Sequence, residues 1–347
     1  MHVYSFDPLA DPRWDELVGR HRDASIFHTS GWLRSLQRTY GFAPLAFTTS
    51  RPPEPLRNAV VVCAVRSWLT GNRLVSLPFS DHCDPLVDDA EELRALSEGV
   101  EQYRARGGWK YAELRPTRPG LAMDPSFQVA SSYYLHRLDL QPSVDDLWRG
   151  FHLDSIQRRI RRAEGERLEY EEGSSEALLG KLYHLLGLTR HRHLLPVQPL
   201  TWFRNLVECL GSAVCVRVVS KNGEPAAGIL TLTHRTTVVY KYGGSDARYH
   251  RFGGMPYLFW RMIQDAKRSA ADEIDLGRTD VDNSGLVIFK ERWAAQRSDL
   301  IYRRSPPPPT SRRGPSSDRF RWVRRAFFEL PLGLRQTIAN LLYRHLG

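Results

Sequence analysis

The sequence is poor in cysteine, with only Cys63, Cys83, Cys209 and Cys215 in 347 residues. None of them forms a C-x-x-C pair, which argues against a zinc ribbon, a redox couple and a disulfide framework. No metal is expected. Long apolar runs are also missing, and none approaches the ~18–20 residues of a membrane span. The opening residues, Met1-His2-Val3-Tyr4-Ser5-Phe6-Asp7, carry no basic stretch followed by an apolar one. They do not read as a signal peptide, and a reducing, cytoplasmic compartment is expected. There is no G-x-S-x-G. Ser80-Asp81-His82 has the residue types of a hydrolase triad, but adjacent residues cannot point at one another as that mechanism requires. Lysine is scarce: six residues against 43 arginines.

What is present describes a globular chain. Apolar residues make up 41% and charged residues 25%, too apolar for a disordered protein. At ~150 residues per domain the length suggests about two domains. The net charge of +10 is unevenly placed, because residues 303–347 hold ten arginines against only Asp318 and Glu329. That segment carries +8, leaving a nearly neutral body in front of a basic tail. Such a tail points to an anionic surface, and DNA binding by the body is not expected.

The pattern along the chain is α/β throughout. Asp11-Pro12 opens one helix and Thr29-Ser30 a second, which Gly41 stops. Residues 45–49 and 58–65 are β-rich, 90–106 is helical up to Gly107-Gly108, and 111–115 is a strand. After a turn-rich stretch at 116–132 the plan repeats. A strand at 133–140 precedes a basic helix over 143–164 and helical stretches at 175–192 and 200–209. Strands at 213–219 and 226–233 flank the Asn222-Gly223 hairpin turn. Then come a strand at 237–242, a helix over 255–270 and a strand at 273–277. Arg303 to Ser317, with four consecutive prolines, reads as an extended linker. Beyond it, arginines alternate with Phe320, Trp322, Phe327 and Phe328, and Leu334, Ile338 and Leu341 fall at helical spacing. The expected domains are therefore 1–125, 126–303, a linker at 304–317 and a basic amphipathic helical tail at 318–347.

The richest motifs lie between 140 and 303. A basic helix carries Arg158-Arg159-Ile160-Arg161-Arg162, and Thr189-Arg190-His191-Arg192-His193 follows. Next are Tyr240-Lys241-Tyr242-Gly243-Gly244-Ser245, Arg251-Phe252-Gly253-Gly254 before a helix, Asp275-Leu276-Gly277-Arg278, and finally Phe289-Lys290. With Trp32 on an early helix, their order and spacing resemble the FemAB-like aminoacyl transferases, a branch of the GNAT (N-acetyltransferase) superfamily. The resemblance spans about residues 25–303. It implies two tandem GNAT-like domains, each a mixed central sheet flanked by helices, that transfer an acyl or aminoacyl group to an amine. The acceptor would be a cell-envelope precursor, of peptidoglycan or exopolysaccharide. No cofactor would be permanently bound, and the acyl donor would be acyl-CoA or aminoacyl-tRNA. The family's inserted coiled-coil arm is absent between 140 and 300, which argues against tRNA.

Residue by residue, the resemblance and the chemistry agree on a set of candidates. Lys290 would stabilise the tetrahedral oxyanion, Phe289 would exclude water beside it, and one of Asp275, Asp280 and Asp282 would take the amine's proton or hold the ammonium, with Asp275 of the Asp-x-Gly-Arg motif the candidate taken. Trp32, Arg34, Arg158, Arg162, Arg192 and Tyr242 would contact substrate, in a groove between the domains. Arg251, Gly253 and Gly254 precede a helix, the place where a pyrophosphate sits, although Pro256 departs from the superfamily's acyl-CoA loop. The tail would hold the protein peripherally on the inner face of the membrane. Two other functions fit the same residues. One is an acetyl-CoA-dependent GNAT N-acetyltransferase acting on a sugar amine. The other is a non-catalytic, membrane-associated scaffold with a degenerate GNAT fold.

Overall fold

A computed structural model describes residues 1–118, 123–308 and 342–345. These fall into two compact units. One runs from Met1 to Tyr133, with the returning residues from Asp299 and the short piece 342–345; the other is Tyr134–Ser298. The division falls inside a strand, where the sequence placed it at 125/126.

The first unit begins with strand β1 (Tyr4–Phe6), helices α1 (Arg13–Arg20) and α2 (Ser30–Tyr40), and strands β2 (Ala43–Thr48), β3 (Val60–Val65) and β4 (Arg73–Val75). Helix α3 (Ala90–Arg106) then crosses to β5 (Tyr111–Leu114). Strands β1 to β4 pair antiparallel in chain order, while β4 and β5 are parallel. Helix α2 starts where Thr29 Oγ1 accepts the Trp32 N–H and stops at Gly41 in the left-handed region. Val62, Leu74, Leu93, Leu96 and Val100 are fully buried between this sheet and α3.

The second unit repeats the route. Strand β6 (Gln128–Asp139) leads into helices α4 (Val144–Gly150) and α5 (Arg158–Gly165), strand β7 (Glu169–Gly173), and helices α6 (Glu176–Arg192) and α7 (Leu200–Leu210). Strands β8 (Val214–Lys221), β9 (Glu224–His234) and β10 (Thr237–Ser245) follow, then helix α8 (Gly254–Arg268), strand β11 (Glu273–Asp280), helix α9 (Ser284–Glu291) and strand β12 (Gln296–Ser305). Strands β7 to β10 pair antiparallel in order, and β10 and β11 are parallel. Helices α6 and α8 cover opposite faces. Gly228 faces Leu182 and Leu185 of α6, and its neighbour Ala227 faces Gly254 of α8. Phe151, Phe259, Trp260 and Trp293 form the aromatic heart of the core on the α8 side.

The single basic helix expected over 143–164 is broken. Helical continuity fails at Phe151, which is buried, and a wide π-type turn over Leu153–Gln157 leads into α5. The Gln157 amide donates to the carbonyls of Trp148 and Phe151 at 3.1 and 2.8 Å, satisfying groups that the break releases. Arg303, Arg304 and Ser305, read as linker, are the end of β12, which from Asp299 on is part of the first unit, and pair there with β5. The rest of the expected linker and tail lies outside the described residues, apart from 306–308 and 342–345.

Candidate functional site

The site grows from a divergence of strands. The parallel register of β10 and β11 covers only Thr237–Val239 against Glu273–Asp275. Strand β10 then continues on β9 as far as Ser245, and β11 runs on separately to Asp280. A register shift between Tyr240 and Tyr242 turns β10 at this point. Tyr240 packs its ring near Phe259 of α8, at 4.7 Å, whereas Tyr242 faces α7. There the Tyr242 hydroxyl accepts the Trp202 indole N–H at 2.8 Å, and its ring lies 5.0 Å from Phe203. Gly244 lets the strand pass α6 closely, since a Cβ would stand 2.6 Å from the Leu185 backbone.

Beyond β10, a 3-10 turn over Ala247–Phe252, capped by Asp246 on the Arg248 N–H, delivers the chain to α8. Gly253 has φ 76° and caps the helix without a side chain. A Cβ there would run into the carbonyl oxygen of Arg159, so only glycine lets the start of α8 rest on the α5 backbone. This approach assembles a basic groove of about 460 Å³ lined by Arg158, Arg159 and Arg162 of α5, by His250 and Arg251, and by Asp154. Arg158 pairs with Asp154 and Arg162 with Glu166, both exposed i,i+4 pairs of small energetic value. Arg251 lies over the Phe252 ring at 4.7 Å. The helix start adds unsatisfied N–H groups and the positive end of its dipole, and no acidic residue occupies its first turn.

A second cavity, of about 280 Å³, adjoins the groove, and Arg159 and His250 line both. Its walls are mostly apolar: Ile156, Ala226, Ala227, Met255, Pro256 and Phe289. At its edge Ser245 gathers several partners. Arg192 donates to the Ser245 carbonyl at 2.8 Å and to its hydroxyl oxygen at 3.3 Å. Thr189 Oγ1 accepts the Ser245 N–H at 2.8 Å. The Ser245 hydroxyl lies 2.9 Å from His250 Nε2. Because a guanidinium can only donate, Ser245 Oγ accepts from Arg192, and its own proton stays available to His250. Burial pushes the His250 imidazole below its ordinary value, and the charges of Arg192 and Arg159 push the same way against Asp246. His250 is thus neutral near pH 7 and able to take up a proton.

Lys290 sits on helix α9 and is only 3% exposed. Its ammonium donates to the carbonyls of Gly277 and Arg278 at 2.7 and 3.1 Å. Gly277 has φ 73°, and its N–H donates to Asp275 Oδ1 at 2.7 Å. Lys290 and Asp275, itself buried, therefore hold a kink in β11. Phe289 lines the apolar cavity and meets the Phe259 ring edge-on at 5.5 Å. Next to this kink, His136 of β6 is fully buried. Its Nδ1 lies 3.4 Å from the Thr279 hydroxyl, and its Nε2 has no hydrogen-bond partner among the described residues. Burial, then the charges of Lys290 and Arg297, pull this imidazole down to about 4.

Of the residues singled out from sequence, Arg158, Arg162 and Arg251 line the groove, Gly254 and Phe289 line the apolar cavity, Gly253 caps α8 without lining either, and Arg192 reaches their edge through Ser245. Lys290 and Asp275 lie in the interior at the β11 kink, and Tyr242 is turned to Trp202. Trp32 and Arg34 belong to the first unit. There Trp32 is fully buried with its ring 4.9 Å from Phe27, and Arg34 is exposed on α2. Ser245 and His250 were not singled out. Ser245 closes the Tyr240–Ser245 motif without a role assigned to it, and Asp246, a helix-capping type, was the signal for the turn that brings His250 back. Among the described residues no group of three His, Cys, Asp or Glu could hold a metal ion.

Comparison with known proteins bears on the fold that carries these cavities. The family model for the acetyltransferase (GNAT) domain matches residues 151–285, which contain most of the lining of both cavities. The structure is similar to that of FemX, with a TM-score of 0.65 and 13% identity over 87% of this chain and 97% of that one. It is also similar to L-PGS from Bacillus licheniformis (TM-score 0.56, 12% identity, 95% of this chain and 98% of that one). A tandem GNAT protein from the clavulanic acid biosynthesis pathway matches with a TM-score of 0.53 and 11% identity, over 89% of this chain and 100% of that one. At such identities the likeness is one of fold. No curated protein sequence matches the chain. The chain has a FemAB-like fold of two tandem GNAT-like units, and its residues 151–285 in the second match the GNAT acetyltransferase domain.

Proposed function

We propose that the second unit transfers an acyl group from a phosphate-bearing donor to an amine of a cell-envelope precursor. The observation that carries this reading is the pairing of an apolar cavity with a basic groove, joined by Arg159 and His250. An acyl thioester or ester has the same division: an apolar acyl end and an anionic phosphate end. The groove supplies guanidinium groups, and α8 supplies backbone N–H donors, both suited to phosphate. Acyl-CoA is the donor the GNAT domain favours, and the tandem GNAT neighbour is described in a form without AcCoA. The cell-envelope acceptor rests on the FemX likeness and on a further neighbour described as a putative lysylphosphatidylglycerol synthetase.

In this reading the amine nitrogen attacks the acyl carbonyl carbon, a C–N bond forms, and the thiolate or alkoxide of the donor leaves. The amine's proton passes to Ser245 Oγ as the serine proton passes to His250 Nε2. Neutral His250 is a suitable final acceptor, and Arg192 fixes the direction of the serine hydroxyl. Lys290 would supply positive potential to the oxyanion, and Phe289 would keep water away from it.

Direct binding of acetyl-CoA and of aminoacyl-tRNA to the full-length protein and to Arg159→Ala and Arg251→Ala tests the reading. One donor is expected to bind in a salt-dependent manner. Removing one charge-assisted hydrogen bond is expected to weaken it by roughly 10- to 100-fold. Binding of neither donor, or binding that ignores both substitutions, would favour the scaffold.

A further inference from the structure

Strands β3 and β4 are joined by a short loop, residues 66–72, that holds its apolar tip out into solvent. Trp68 is 86% exposed and Leu69 is 52% exposed. The tip is internally braced. Gly71 N–H donates to the Ser67 carbonyl at 2.9 Å, Thr70 N–H to Ser67 Oγ at 3.0 Å, and Ser67 N–H to Asn72 Oδ1 at 3.1 Å. Exposure of a tryptophan and a leucine on so well bonded a loop is costly in water unless something receives them.

The sequence around this tip is basic, and Glu113 of β5 acts on Arg73, which is buried at the base of the loop. Between residues 55 and 80 the sequence contains no Asp or Glu but has Arg57, Arg66 and Arg73. The Lys110 ammonium donates to the Thr70 carbonyl at 3.0 Å. The described end of the basic tail also docks here. The His345 carbonyl accepts from Thr70 Oγ1 at 2.9 Å and from Arg73 at 2.8 Å. Its imidazole lies 3.1 Å from Ser67 Oγ and packs edge-on against the Trp68 ring at 5.4 Å. The chain thus brings the described end of a segment of net charge +8 to the most exposed tryptophan among the described residues.

We propose that the Trp68-Leu69 tip, with residues 342–345 docked beside it, inserts into the headgroup region of an anionic lipid surface. Tryptophan favours that interface because its ring is apolar and its N–H is polar. Clustered arginines add attraction to anionic lipid, so two weak anchors combine. A second copy of the chain would bring the same positive charge to the same place, which disfavours self-association there.

The test is co-sedimentation of the full chain with phosphatidylcholine vesicles made with and without phosphatidylglycerol, alongside the Trp68→Ser/Leu69→Ser variant. Both side chains are exposed, and a matching thermal melt confirms that the variant is folded. The full chain is expected to pellet with the anionic vesicles and to stay in solution with the neutral ones. The variant is expected to bind the anionic vesicles about tenfold or more weakly, through loss of apolar burial. Equal binding of both proteins, or no binding by either, would overturn the proposal. A variant that turns a dimer into a monomer in sedimentation velocity while still pelleting would assign the tip to self-association instead.

Discussion

Helices α3 and α8 occupy the same place in the two units, each crossing between a pair of parallel strands after an antiparallel run. Their N-termini are built in opposite ways. At α3, Asp89 accepts the Glu92 N–H at 2.9 Å, and Glu91 and Glu92 fill the first turn. Glu92 is itself held by Asn58 and by the Asp88 N–H. The positive end of that helix is satisfied by its own carboxylates, which would repel an anion. At α8 the cap is Gly253, the first turn has no acid, and the cations of α5 stand next to it. The strands differ as well. All three residues of β4 are in register with β5, whereas β10 follows β11 for three residues and then diverges. One topology therefore gives a closed helix start in the first unit and a receptive one in the second.

The largest effect is expected at the proton acceptor. His250→Ala should lower kcat by about 10²–10⁴. In the full-length protein the activity should fall as pH drops through the His250 pKa, which lies below the ordinary ~6.5. A variant that keeps full rate and the same acid limb would remove the relay from the account. Lys290→Ala should cost about 10²–10³ in kcat if its charge acts on the oxyanion. A stability loss with unchanged kcat would leave it as the brace of the β11 kink.

The buried histidines sharpen the contrast in stability. His28 in the first unit has both ring nitrogens bonded, Nδ1 to Ser25 and Nε2 to the Asp84 carbonyl. His136 in the second has an unsatisfied Nε2 and a pKa lowered to about 4. The unfolded chain therefore binds a proton near pH 6.5 that the folded one refuses until about 4, and stability falls as pH drops through that window. The loss is at most roughly 3 kcal/mol. Chemical denaturation of His136→Phe at pH 7 and pH 5 should show a flatter dependence than the unsubstituted protein. The smallest effect is expected at the first unit's cap. Asp89→Ala should cost about 1 kcal/mol in a denaturant melt and leave donor binding unchanged. Impaired binding there would place function in the wrong helix start.

The repeated α/β plan was legible because each strand and helix carries its own period and stop signals, such as Thr29 and Gly41 around α2. That the arginines of α5 lie on a helix and the glycines before α8 open one was legible for the same local reason. Contacts across space were not legible. Ser245 and His250 meet only because a 3-10 turn folds the chain back. The register shift in β10 sends Tyr240 and Tyr242 to different neighbours, which a residue pattern of period two does not foresee. The burial of Lys290 depends on carbonyls released at Gly277, and residues 303–305 looked like linker because their partner β5 lies far back in the chain.

The central claim is that the second unit's helix start, and not the first's, receives the donor's phosphates. Hydrogen exchange of the full-length protein with and without acetyl-CoA, and with and without aminoacyl-tRNA, tests it most directly. Protection by one of these donors over residues 155–162 and 250–258, with residues 86–96 unchanged, is the predicted result. Protection at 86–96, or at neither helix start with either donor, would contradict it.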